Sequence, residues 1–255
     1  MEIVKLYPEC KDNIWGGVKL REKYGKKTDK AIVAESWELS FHKDGPTRLE
    51  NGKTLQEVAT AADLGKNCKD FPFFPTLIKF IDSKQDLSVQ VHPSDDYALK
   101  NENSFGKTEM WYVVEAEQGA GLYVGFKRDV TKEEYERAIQ ENTLTELLNF
   151  YQVQAGDCYF IPSGTIHAIG SGCLITEIQQ NSNLTNSIFE IVSKNFFYLV
   201  TRKISEVKHL QNLYLLACFS GNRISIYFKN FVNTASHSAK TQYCYTYHQS
   251  ITPLQ

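Results

Sequence analysis

Apolar and polar residues alternate strictly from Leu87 to His92: Leu87, Val89 and Val91 are apolar, while Ser88, Gln90 and His92 are polar. A strand sends residues i, i+2 and i+4 to one face, so this segment aims a hydroxyl, an amide and an imidazole the same way. Such a face meets water in most sheets, or it lines a barrel cavity. The same period of two marks Ser36–Ser40, Thr76–Ile81, the strand after the turn at Phe105-Gly106-Lys107-Thr108, and Leu174–Gln179. It places Lys107 and Glu109 on one face and turns Thr176 away from Glu177. From Gln152 to Ile169 the chain reads as strands, with a hairpin signal at Gly156-Asp157 and a Pro162-Ser163-Gly164 loop delivering His167 onto the next strand. Two stretches carry a helical period instead. Leu55, Val58, Ala59 and Ala62 follow a Thr54/Glu57 capping box, which predicts a helix over 54–63. Residues 129–150 are charged and helix-patterned, a small excursion from a β body. Asn13 to Gly17 is a turn, and Phe71-Pro72-Phe73-Phe74-Pro75 breaks any helix before the strand at Thr76.

This pattern predicts a mainly β fold with one cavity-forming body. A chain of 255 residues accommodates one large β domain or two small ones. A net charge of −2 supplies no basic footprint for nucleic acid. The N-terminus lacks the apolar core of a signal peptide, and no apolar run approaches a membrane span. Six cysteines without a CxxC pair argue against a zinc ribbon or a disulfide framework, and read as reduced thiols of a cytoplasmic protein. Trp15 and Trp37 read as core packing. Lys79, amid Leu77, Ile78 and Phe80, reads as an edge residue with its stem on apolar surface and its head in water.

The candidate chemistry is His92, Glu109 and His167, with Gln90 two residues before the first. Imidazole nitrogen and carboxylate oxygen together suit zinc, iron or manganese, and two His with one carboxylate leave positions open for a substrate. His-x-Pro near a strand end, a following strand that carries Glu, and a Gly-Asp turn before Pro-x-Gly-x-x-His follow the two-motif grammar of a cupin barrel, a double-stranded β-helix or jelly roll.

These residues sit in longer motifs. Ile14-Trp15-Gly16-Gly17, Glu35-Ser36-Trp37-Glu38, Phe80-Ile81-Asp82, Gln85 to Pro93, Gly106 to Tyr112, Ile161 to His167 and Glu177 to Asn183 occur in order. On them the chain, from about Tyr7 to Thr185, closely resembles the type I mannose-6-phosphate isomerases of the short bacterial kind, a zinc-dependent cupin family. The resemblance implies one zinc ion per chain on His92, Glu109 and His167, with Gln90 as the fourth protein ligand. It implies that Ser88, Lys79 and Lys107 line a pocket for a small sugar phosphate, and that Glu177 handles protons. Glu177, Lys107 and a metal-bound water remain alternative bases, and Glu177 in a barrel-strand salt bridge is the structural alternative. The implied reaction interconverts mannose 6-phosphate and fructose 6-phosphate.

The resemblance stops abruptly. Where the family carries an arginine held to contact substrate, this chain has Ser187. From Cys158 to Gln255 there is no aspartate, and glycine nearly vanishes after Gly172. The expected organisation is a metal-binding cupin domain over 1–190 and an atypical segment over 191–255, a remnant or replacement of the family's second β domain. Ile191–Val200 and Leu210–Phe219 are apolar enough for strands or core, and His237 and His248 read as surface residues. A frame change and true divergence both account for such a tail. An alternative function is therefore a metal-binding cupin that holds sugar phosphate without turnover; a cupin oxygenase shares the ligand types but not the Gly-Lys-Thr-Glu-Met-Trp-Tyr context.

Overall fold

Strands form where alternation coincides with β-branched and aromatic residues, as in Thr76-Leu-Ile-Lys-Phe-Ile-Asp-Ser83. The computed structural model describes residues 3–68 and 71–187, and three further strands over 213–220, 223–230 and 246–250; from residue 186 onward the backbone alone is described. In chain order the elements are β1 (Glu9–Lys11), α1 (Lys19–Glu22), β2 (Glu35–Leu39), α2 (Leu55–Val58), α3 (Ala61–Leu64), β3 (Thr76–Ser83), β4 (Gln90–Val91), α4 (Asp95–Asn101), β5 (Glu109–Ala116) and β6 (Gly121–Phe126). There follow α5 (Lys132–Gln140), β7 (Leu148–Gln152), β8 (Cys158–Ile161), β9 (His167–Ile169), β10 (Cys173–Gln180), β11 (Asn186–Ser187), β12 (Leu213–Ser220), β13 (Arg223–Asn230) and β14 (Thr246–Ser250).

The chain divides into two compact units, Met1–Arg202 and Lys203–Gln255. In the first, a six-stranded sheet in the order β1-β2-β3-β10-β5-β8 and a five-stranded sheet in the order β11-β4-β9-β6-β7 form the cupin jelly roll. Every pairing within both sheets is antiparallel. In the second unit β12, β13 and β14 form an antiparallel sheet. The expected strand at Leu210–Phe219 thus has its counterpart in β12, whereas Ile191–Val200 and His237 lie outside the described residues. His248 is described only by its place in β14.

Cross-strand register shows what each face carries, because directly opposed residues share a face. One inner row of the six-stranded sheet runs Glu35, Ile81, Ile175, Val113. The next runs Trp37, Lys79, Glu177, Trp111, Tyr159, and the third Leu77, Gln179, Glu109, Ile161. Ile81, Val113, Ile161 and Ile175 join Leu122, Val124 and Ile169 of the other sheet in one buried cluster. The interior is therefore apolar along one stretch and charged in the rows beside it. The outer face of β2 is covered too: Cys10, Leu20, Val33 and Leu174 pack together there, with Tyr24 and Phe80 against them. This is why Ser36, Trp37 and Glu38 are all buried, rather than alternating.

Several boundaries differ from the sequence pattern, each for a local reason. The helix expected over 54–63 is two helices. Thr54 and Glu57 form the capping box of α2, but Thr60 and Asp63 form a second one, and Asp63 Oδ2 accepts from Thr60 N at 2.8 Å. Ala59 and Thr60 are extended between them. The excursion at 129–150 is helical only as far as a short 3-10 turn, Leu144–Leu147; Tyr151 and Phe150 then pair with Leu122 and Tyr123 as strand. Gly156 turns the chain at φ +98°, with Gln154 N donating to Asp157 Oδ2 at 2.9 Å. That turn is a corner between the two sheets, not a hairpin, since β7 pairs with β6 and β8 with β5. The alternating run at 87–92 yields only the two-residue β4, and Ser88 lies before it, exposed.

Candidate metal centre and active site

Glu109 opens β5 on the six-stranded sheet, His167 opens β9 on the five-stranded sheet, and His92 follows β4. Their side chains meet between the sheets. His92 Nε2 is 3.3 Å from Glu109 Oε1 and His167 Nε2 is 3.5 Å from Glu109 Oε2. All three residues are buried, and one ligand atom from each lies within 4.8 Å of the others. The two imidazole rings are 4.8 Å apart, and Trp111 meets His167 edge-on at 5.2 Å. Gln90 is directly opposed to His167 across β4 and β9, so the register puts its side chain on the same face. Ser187 is the backbone partner of Gln90 on the other side.

The donor set fits a metal ion. His92 Nδ1 lies 2.9 Å from Leu184 O, and His167 Nδ1 lies 2.8 Å from Thr165 O. A carbonyl only accepts, so each Nδ1 carries the proton and each Nε2 presents its lone pair toward Glu109. Metal-ligating histidines are held in this way, the second ring nitrogen donating to a carbonyl or carboxylate. Both carboxylate oxygens of Glu109 are buried, Oε1 beside Lys107 Nζ and His92 Nε2, and Oε2 beside His167 Nε2. Lys107 Nζ lies 2.6 Å from Glu109 Oε1 and 3.2 Å from His92 Nε2, which marks the convergence of these atoms as a place for positive charge.

Beside the triad lies a second buried cluster. Lys79 Nζ is 3.1 Å from Glu177 Oε1 and 3.4 Å from Glu35 Oε2, and Lys107 Nζ is 4.0 Å from Glu177 Oε1. Trp111 Nε1 donates to Glu177 Oε2 at 2.9 Å, and Trp37 Nε1 to Glu35 Oε2 at 2.6 Å. Lys79 is therefore not an edge residue: it occupies the middle of the sheet, 6% exposed, because carboxylates on both neighbouring strands compensate its charge. Glu35 and Trp111 belong to the cluster as well. Both lie within the sequence motifs without a local sign of a role; the signal that finds them is the register pairing Trp37 with Lys79 and Trp111 with Glu177.

Burial and neighbouring charge set the protonation states. Burial, reinforced by Lys107, pushes His92 down to about 3, and burial lowers His167 against the pull of Glu109. Burial would raise Glu109, but the Lys107 ammonium beside it holds it well below the ordinary carboxylate range. Glu177 moves the other way: burial and the charge of Glu109 raise it despite Lys79 and Lys107. Burial works against charge on Lys79, yet Glu177, Glu35 and Glu109 outweigh it and keep it an ammonium. At neutral pH the imidazoles are neutral ligands, as metal binding requires.

These shifts give a pH dependence for the metal-free protein. Unfolded, His92 takes a proton as pH falls through 6.5; folded, it does so only near 3. The unfolded chain then binds more protons, so stability is lost from about pH 6.5 downward. His167 and, below 4.5, Glu109 act with the same sign, whereas the raised Glu177 opposes them. Calorimetric melting in chelator is expected to show a lower Tm at pH 5 than at pH 7, and a divalent metal ion held at pH 7 is expected to widen the difference.

Fold and site together define a cupin barrel with a His–Glu–His ligand set flanked by buried lysine–carboxylate pairs. A family model described as the catalytic domain of type I phosphomannose isomerase matches residues 3–144. The chain is 39% identical over 190 residues to "Probable mannose-6-phosphate isomerase GmuF" of Bacillus subtilis, which covers 72% of this chain and 60% of that protein. It is 38% identical over 195 residues to a mannose-6-phosphate isomerase of Streptococcus mutans, covering 74% and 61%. The crystal structure of the mannose 6-phosphate isomerase from Bacillus subtilis superposes with a TM-score of 0.72 at 29% identity, over 89% of this chain and 80% of that one. The chain belongs to the type I phosphomannose isomerase family. It spans about 60% of the length of the curated relatives it matches.

Proposed function

We propose that this protein is a zinc-dependent aldose–ketose isomerase that interconverts mannose 6-phosphate and fructose 6-phosphate. The observation that carries the reading is the pair of carbonyl-held imidazoles facing the buried carboxylate of Glu109, with Glu177 alongside. His92, Glu109 and His167 would hold one zinc ion per chain, with Gln90 as fourth protein ligand. When bound, zinc polarises the sugar oxygens on which negative charge develops and holds the open-chain substrate.

The rest of the work falls to the chain. Isomerisation moves a proton between C2 and C1 through an enediol, so one group must take and return it. Glu177 is buried and raised above an ordinary carboxylate, which brings its affinity for a proton closer to that task. Trp111 fixes one of its oxygens and Lys79 holds the other. Lys107, close to both Glu109 and Glu177, is the alternative proton carrier and a cationic partner for developing charge. Lys79, with Ser88 nearer the surface, is assigned to substrate binding, where ammonium charge favours a phosphate-bearing ligand. Cys10, Cys68, Cys158 and Cys173 are free thiols, in keeping with a cytoplasmic protein. No helix among the described residues is long and apolar enough to cross a membrane.

The reading is tested by incubating the purified, zinc-loaded chain with mannose 6-phosphate and following fructose 6-phosphate in a coupled assay. Turnover that disappears in His92→Ala is the expected result. A folded, zinc-bound chain without turnover favours the second reading, a metal-binding cupin that holds sugar phosphate without converting it. Ser187, at the position of the family arginine, is the observation behind that alternative. Ser187→Arg would then be expected to restore activity, since one donor to transition-state charge is worth about 10²–10³-fold.

A further inference from the structure

Both imidazoles are fixed by carbonyls, and the two carbonyls are fixed differently. Thr165 O belongs to a tight turn in which Thr165 N donates to Pro162 O at 3.1 Å. Leu184 O lies past the end of β10, in a stretch without regular structure. Side chains from β10 and the turn after it take the place of a ladder there. Gln179 Nε2 donates to Gln180 O at 2.8 Å and to Ser182 O at 2.7 Å, folding the turn back on itself. Ser182 Oγ donates to Phe105 O at 2.8 Å and accepts from Leu184 N at 3.3 Å, which sets the plane of the peptide leading to Leu184. Gln179 and Ser182 are buried.

The next residue reaches the other ligand. Gln180 Oε1 accepts from Thr108 N at 2.9 Å, immediately before Glu109. Its Nε2 donates to both oxygens of Asp95 at 3.1 Å, and Asp95 Oδ1 accepts from Gly106 N at 2.8 Å. Consecutive residues point to opposite faces of a strand. One glutamine therefore ties down the turn that leads to the carbonyl on His92, while its neighbour braces the backbone that presents Glu109.

We propose that Gln179, Gln180 and Ser182 are positioning residues for the metal centre, a bracket that fixes the His92 tautomer and the approach of Glu109. The proposal rests on the metal-binding reading above and adds to it a source of affinity outside the ligands. A turn that only needed its polar groups satisfied would lower stability when cut, and would leave the ligand field unchanged. A positioning bracket changes the metal itself: outer partners of ligands are worth about 10–100-fold in affinity.

The test uses the full chain and reads zinc affinity by competition with a chromophoric chelator, together with the visible bands of the Co(II)-substituted protein. Metal-free melting is recorded alongside. Ser182→Ala and Gln180→Ala are each expected to weaken zinc binding by about 10–100-fold and to shift the Co(II) bands. Ser182→Thr, which keeps the hydroxyl, is expected to recover most of the affinity. Should Ser182→Ala fail to fold, Gln180→Ala, whose side chain is only partly buried, decides alone. Parent-like zinc affinity and parent-like Co(II) bands in the folded alanine variants overturn the bracket, whatever happens to melting. A parent chain whose zinc uptake is weak and equal to that of His92→Ala removes the metal reading itself, and the bracket with it.

Discussion

Glu177→Gln is expected to lower the rate of mannose 6-phosphate isomerisation by about 10²–10⁴-fold while bound zinc per chain stays constant. The substitution keeps the shape of the side chain and an acceptor for Trp111 Nε1, and removes only the group that can carry a proton. The effect is large because little else on that side of the site can replace it. Lys79, 3.1 Å away, is held as an ammonium by three surrounding carboxylates. Glu109 is kept ionised by Lys107, and its oxygens face the two imidazole nitrogens. Steady-state turnover and zinc content on the same preparation make the measurement. Parent-level turnover with zinc retained would take Glu177 out of the proton-transfer role and leave Lys107 as the candidate.

The second large effect concerns stability. Lys79→Met is expected to cost about 3–5 kcal/mol at pH 7, because removing one partner leaves buried carboxylates without compensation. Glu35 and Glu177 lie on the strands either side of Lys79, Glu177 buried and Glu35 partly so, and would face each other across a methionine. Their folded pKa values would rise, so the folded variant would bind more protons than the parent near pH 5. Its deficit is therefore expected to shrink as pH falls from 7 to 5, the opposite of the trend set by the imidazoles. Chemical denaturation of parent and variant at both pH values reads this directly. A deficit under about 1 kcal/mol, of the size seen for exposed ion pairs, would contradict the buried arrangement.

How far the chain could be read from its residues depended on whether the deciding partner was local. His92, Glu109 and His167 stood out by residue type within recognisable strand and turn patterns, and the structure brings all three together. The capping box at Thr54 was legible because its atoms are three residues apart. Lys79 is illegible for the opposite reason. Leu77-Ile78-Lys79-Phe80 looks like the edge of a sheet until β2 and β10 supply Glu35 and Glu177, and that pairing is not encoded nearby. Trp111 and Glu35 carry no sign of a role until the register is known. Alternation also overstated the strand around Gln90. Its partners are the short β9 and the two-residue β11, so Ser88 lies outside the ladder, exposed. Gly156-Asp157 signalled a turn correctly, yet two residues cannot say whether the strands they join belong to one sheet or two.

The place of β10 has a consequence for how the barrel is made. It lies between β3 and β5, which have no ladder with each other, so the six-stranded sheet stays in two pieces until Gln180 has been synthesised. Contacts that close so late in sequence make for slow folding, since loop-closure entropy is lost before pairing repays it. A nascent or truncated chain ending before residue 173 would carry β3 and β5 as open edges, each ready to pair with another chain. The same strand delivers Glu177, Gln179 and Gln180. Closure of the sheet and completion of the site are thus a single event, and a ribosome that stops short releases neither a closed sheet nor a complete site.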